Sequence, residues 1–173
     1  MFIKRKLEKY LKEHLEEKET SFFQAYFERS SASQEYEEDS VGGTTLFKRK
    51  DINTFIEDYK DEDTFQTKLF QFIDSKNLKD SDVYNKVNID RRLFSKIRSN
   101  KDYHPSKETI ILFGLALELD EDEIEELLKS ASYSLPMNTT FDLIVRFCFK
   151  EHIYDVQKVN EFLYEYKCKL LNE

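Results

Sequence analysis

Asn77-Leu78-Lys79-Asp80-Ser81-Asp82-Val83-Tyr84-Asn85-Lys86-Val87-Asn88-Ile89-Asp90-Arg91-Arg92-Leu93-Phe94-Ser95-Lys96-Ile97-Arg98-Ser99-Asn100-Lys101 is the stretch that decides the fold. Val83 and Val87 anchor a short helical unit from Ser81 to Val87. Asp90 is a good N-cap for the next unit, whose Leu93, Phe94 and Ile97 share one side at about 100° per residue. Arg91, Arg92, Ser95, Lys96 and Ser99 are left on the other side. From residue 86 to 107, Lys86, Arg91, Arg92, Lys96, Arg98, Lys101 and Lys107 stand against only Asp90 and Asp102, a local charge of +5. An exposed basic face of this kind attracts anions. An ordinary solvated helix face is the other reading of the same charge.

Short helical patterns surround this stretch. Phe65, Leu69, Phe72 and Ile73 fall at i, i+4, i+7 and i+8, and the pattern breaks at Lys76-Asn77. Pro105-Ser106 opens a helix from Ile110 to Leu119 that is apolar nearly all round and therefore central. Asp120 with Glu123 forms a capping-box-like pair ahead of Ile124, Leu127 and Leu128. Phe141–Phe149 reads as a buried helix, and after Tyr154-Asp155 a last one carries Val156, Val159, Phe162, Leu163, Tyr166 and Leu170. Toward the N-terminus, Ile3, Leu7, Tyr10, Leu11 and Leu15 form an amphipathic helix, and Phe22, Phe23, Tyr26 and Phe27 a short second one. Residues 30–45 are polar, acidic and small, which reads as a flexible linker. Asp51 then caps a helix with Ile52, Phe55, Ile56 and Tyr59.

The expected architecture is all-α. Three Gly and two Pro in 173 residues argue against turn-rich β folds, while 15 Phe and 10 Tyr supply core material despite a mean hydropathy of -0.69. Four segments are expected: N-terminal amphipathic helices (1–29), a linker (30–50), a central domain (51–130) and a C-terminal helical extension (131–173). Charge changes sign along the chain. Residues 1–64 hold 11 basic and 16 acidic side chains, residues 65–115 hold 10 and 6, and residues 116–173 hold 6 and 13, for a net charge of -8. A basic island on an acidic body can bind an anion at one surface and repel it elsewhere.

From about Thr64 to Leu128 the chain resembles the Cro/phage-repressor (XRE-type) helix-turn-helix family, a likeness carried by the stretch quoted above. The resemblance implies a lambda-repressor-like five-helix core with extra N- and C-terminal helices. Leu78, Val83, Val87, Ile89, Phe94 and Ile97 would hold its two central helices at their angle, and Asn88 would occupy the left-handed turn position where Gly is usual. It further implies that Arg91, Arg92 and Lys96 enter the major groove, with Ser95 and Ser99 on the same face, and that Lys101 and His104 touch phosphate from the following loop. Three positions depart from the family pattern. Asp80 stands where a hydrogen-bond donor is usual, Tyr84 where a small residue is, and Leu93 where a small polar one is. More distantly, Asp80 to about Leu171 resembles the helix-turn-helix-like module that accompanies bacterial macro-domain and stress or defence proteins.

No catalytic arrangement can be assembled. His14, His104 and His152 lack a second ligand at i+3 or i+4, and no G-x-S-x-G, P-loop or dinucleotide fingerprint occurs. Neither enzymatic activity, a cofactor nor a metal is expected, and Cys148 and Cys168 read as reduced, structural thiols. No apolar run reaches the about 18 residues of a membrane span, and the N-terminal segment lacks an apolar signal core, so a cytoplasmic protein is expected, and the resemblance implies a bacterial or phage one. The functional expectation is a sequence-specific, repressor-like transcriptional regulator that binds double-stranded DNA, as a homodimer through the C-terminal helices. The alternative is a protein-interaction adaptor of a stress or phage-defence system, docking through the N-terminal helices.

Overall fold

The computed structural model describes residues 2–15, Thr54, residues 64–100 and residues 103–172. The expectations for Phe22, Phe23, Tyr26 and Phe27, for the linker, and for the helix from Asp51, apart from Thr54, fall outside these residues. The chain divides into two compact units, Met1–Lys12 with Asp63–Glu173, and Glu13–Glu62. In the second unit, residues 13–15 and Thr54 are helical.

Thr54 apart, the described residues form eight helices and no strand. They are α1 (residues 2–15), α2 (Phe65–Ser75), α3 (Asp80–Lys86), α4 (Arg91–Ser99), α5 (Lys107–Ala116), α6 (Glu121–Lys129), α7 (Thr140–Lys150) and α8 (Val156–Glu165). Side-chain caps start most of them. Thr64, Asp90, Ser106, Thr139 and Asp155 each accept a backbone N–H of the first turn, and Asp120 with Glu123 closes a full capping box on α6.

The helix ends follow one rule. After α2, α3, α5, α6, α7 and α8 the chain passes through a left-handed residue, in order Asn77, Asn88, Glu118, Ser132, His152 and Lys167, none of them Gly. The next residue donates its N–H five residues back: Leu78 to Ile73, Ile89 to Tyr84, Leu119 to Gly114, Tyr133 to Leu128, Ile153 to Cys148 and Cys168 to Leu163, at 2.8–3.1 Å. This 6→1 closure satisfies a terminal carbonyl, and an apolar side chain beyond it can fold back on the helix. Among the helices whose C-terminal ends are described, α4 alone ends otherwise, with Asn100 extended at φ -125°.

The core centres on α5, where every residue from Ile110 to Leu117 is buried. Gly114 lets α6 and α7 approach, since a Cβ there would stand 2.5 Å from Ile124 Cδ1 and 3.0 Å from Phe149 Cζ. An aromatic chain runs Phe65–Phe113–Phe94, with ring centroids 6.3 and 5.8 Å apart. α1 contributes Leu7, Tyr10 and Leu11 to the core. Its Tyr10 ring lies 5.4 Å from Phe147, while Lys4 pairs with Glu165 and Lys6 with Glu151. These partners place its first three turns on α7 and α8. Asp142 is a buried carboxylate, paired with Lys107 and accepting the Thr139 hydroxyl at 2.8 Å.

Two apolar residues lie elsewhere than the sequence pattern places them. Leu78 is 38% exposed instead of belonging to the small core. It follows left-handed Asn77 and lines a groove with Val83 and Leu117, so only part of its surface is covered. The last helix stops at Glu165 although the apolar spacing runs on to Leu170. Lys167 turns the chain at φ 56°, and Asn160 Oδ1 then accepts the N–H of Leu171 at 3.0 Å. No helix among the described residues is long and apolar enough to cross a membrane.

Candidate nucleic-acid interface

α3 and α4 are joined by Val87, Asn88 and Ile89, with Asn88 at φ 58°. Asn adopts this conformation more cheaply than other residues with a Cβ. Val83, Val87, Ile89, Phe94 and Ile97 are buried, which fixes the two helices to α2 and α5. Phe94 is the hub, with Phe70 edge-on at 5.9 Å and Tyr84 tilted at 5.5 Å. Tyr84, large for its place beside the turn, is thus accommodated by ring packing and stays half-buried. Leu93 is half-buried as well.

The C-terminal end of α4 is held from two sides. Gln66 Nε2 donates to the carbonyls of Ile97 and Arg98 at 2.9 and 2.5 Å. These would otherwise be orphan acceptors at a helix end. The Arg98 guanidinium lies 4.1 Å from the centroid of Phe70, and its Nη2 donates to both oxygens of Asp80, at 2.7 and 2.6 Å. Asp80 therefore faces a cation supplied by its own chain.

Arg91, Arg92, Ser95, Lys96 and Ser99 are all exposed. Helical spacing divides them into two stripes. Arg91 and Ser95 stand with Arg98 along a groove of about 530 Å³ against α3, whose other wall carries Lys79, Asp80 and Tyr84. Arg92, Lys96 and Ser99 form the second stripe. There Lys96 Nζ sits 4.9 Å from the ring centroid of Tyr103, and the Ser99 hydroxyl donates to the Lys96 carbonyl at 3.3 Å. The side chains of Arg91 and Arg92 have no ion pair, hydrogen bond or ring contact among the described residues. His104 is exposed, with its ring 5.2 Å from Tyr133, and Lys101 lies outside the described residues.

The sequence did not reveal the roles of Gln66, Phe70 and Tyr103. Their contacts with α4 span loops that periodicity does not see. Arg98 falls one turn after Ser95 and two after Arg91, so its place in the groove was readable, but its partner Asp80 was not. Among the described residues no group of three or more His, Cys, Asp or Glu is placed to hold a metal ion. Cys148 is buried and its thiol is pushed up to about 12, and burial raises the half-buried Cys168 as well. A thiol so displaced is a poor nucleophile. Compared with protein-family models, curated proteins and solved structures, the chain matches none.

Proposed function

We propose that the chain is a sequence-specific DNA-binding transcriptional regulator of repressor-like type. In this reading α2–α6 act as a lambda-repressor-like helix-turn-helix domain and α4 enters the major groove. The observation that carries it is the pair Arg91 and Arg92, exposed and without a partner among the described residues on a helix anchored at both ends. Two free guanidinium groups at the first turn of a helix are disfavoured by its dipole, so their presence is accounted for by an anionic partner. Arg91, Arg92 and Lys96 would reach base edges, and Lys101 and His104 would flank the backbone. Titrating duplex affinity against salt tests the reading. Several phosphate contacts should lower affinity by orders of magnitude between about 50 and 200 mM salt, and a flat response contradicts it.

A protein-interaction adaptor is the second reading. Phe2 and Tyr164, 81% and 75% exposed on α1 and α8, favour it, because large aromatics serve as anchors in protein interfaces. Co-purification from native extract separates the two. A stoichiometric protein partner supports the adaptor, and nucleic acid alone counts against it.

A further inference from the structure

We infer that the outward face of α4 presents donors without competing carboxylate or amide acceptors and selects a run of adjacent guanines in the major groove, an inference that rests on the DNA-binding reading. Base edges differ in what they ask of a protein. Guanine offers two acceptors, N7 and O6, adenine an acceptor and a donor, cytosine a donor, and thymine an acceptor beside a methyl group. The exposed side chains on this face are Arg91, Arg92 and Lys96, which only donate, and the hydroxyls of Ser95 and Ser99. No Asn, Gln, Asp or Glu stands between Arg91 and Ser99 to read adenine or cytosine, and the carboxylate of Asp90, just before them, is engaged as the helix cap, accepting the N–H of Arg92 at 2.6 Å.

The neighbouring carboxylate does not fill that gap. Both oxygens of Asp80 receive Arg98 Nη2, at 2.7 and 2.6 Å, so Asp80 is engaged as an acceptor and Arg98, stacked on Phe70, is engaged as a donor. The pair withdraws one group of each sign and leaves Arg91, Arg92 and Lys96 as the readers. Arg91 and Arg92 are adjacent, and Lys96 follows one turn later, about 6 Å along the axis. With about 3.4 Å per base pair, that spacing covers two or three neighbouring pairs.

Selection of binding sites by the full chain from a pool of randomised duplexes tests the inference, followed by replacement of the selected guanines with 7-deazaguanine, which lacks the N7 acceptor. The selected sites should carry two or more adjacent guanines on one strand, and each replacement should weaken binding roughly five- to hundredfold. The double variant R91A/R92A, checked by circular dichroism for an unchanged fold, should lose most of the discrimination between guanine and 7-deazaguanine duplexes, keeping only the share that Lys96 supplies. Selection of A·T-only sites, or indifference of the wild-type chain to 7-deazaguanine, overturns the guanine assignment while duplex binding stands. Absence of salt-dependent binding to any duplex overturns both readings together.

Discussion

Asp80 and Arg98 face each other across the α3–α4 groove, with one guanidinium nitrogen of Arg98 at 2.7 and 2.6 Å from the two carboxylate oxygens. Asp80 is acidic where an approaching phosphate would favour a donor, and the pair neutralises it within the fold. Both side chains are well exposed, 37% for Asp80 and 54% for Arg98, so solvent screens the attraction.

Asp80→Ala should therefore change stability by no more than about 1 kcal/mol, including loss of a favourable charge in the first turn of α3. The same substitution frees Arg98. Duplex affinity should rise, and the slope of log K against log salt should steepen by about one unit. Fluorescence anisotropy at four or five salt concentrations measures both. Weaker binding with an unchanged slope would show that Asp80 contributes directly to the contact.

At Asn88, where φ is 58°, a β-branched residue is strained and Gly is not. Asn88→Val should cost on the order of 1–2 kcal/mol in urea denaturation, while Asn88→Gly should stay within about 0.5 kcal/mol of wild type. Equal midpoints for the two variants would mean that the turn relaxes out of the left-handed region.

Gly114 has no room for a methyl group, with Ile124 Cδ1 at 2.5 Å and Phe149 Cζ at 3.0 Å from the Cβ position. Although Ala favours a helix over Gly by up to about 1 kcal/mol, overpacking outweighs the gain. Gly114→Ala should destabilise by about 1–3 kcal/mol, read from the thermal midpoint. A higher midpoint would place the helix-propensity term first.

Cys148, buried on α7, titrates near 12 against an ordinary value of 9.0 because burial disfavours the thiolate. The unfolded thiol ionises first as pH rises, so the stability tied to its neutral form is complete below about pH 9 and is lost between 9 and 12. At pH 8 an aromatic disulfide reagent should modify Cys148 only at the rate of unfolding, with Cys148→Ser identifying its signal. Fast modification in the native state would contradict the burial.

Much of the fold was legible because its signals are local. Asp90, Ser106, Asp120 with Glu123, and Asp155 announce helix starts within three residues, and the unbroken apolar run from Ile110 names α5 as central. Helix ends were harder to read. Glu118, Ser132, His152 and Lys167 turn the chain left-handed without being Gly, and the remaining signal is an apolar residue one place later. That signal is weak where, as at Lys167, the helical spacing of apolar residues continues past the end. On the candidate interface, the outward stripe of α4 follows from 3.6-residue geometry alone. Gln66 on the last carbonyls of α4 and Asp80 on Arg98 join residues 18 to 32 positions apart, and pairings at that range are set by how the helices pack.

The most direct measurement compares wild type with R91A/R92A for binding to a selected duplex across about 50 to 200 mM salt. Both guanidinium groups lack partners among the described residues, so the variant should keep its thermal midpoint. It should lose affinity by about 1–3 kcal/mol for each bidentate contact removed and discriminate poorly between the selected and a scrambled duplex. Unchanged affinity and discrimination in a well-folded variant would contradict the assignment of α4 as the element that reads DNA.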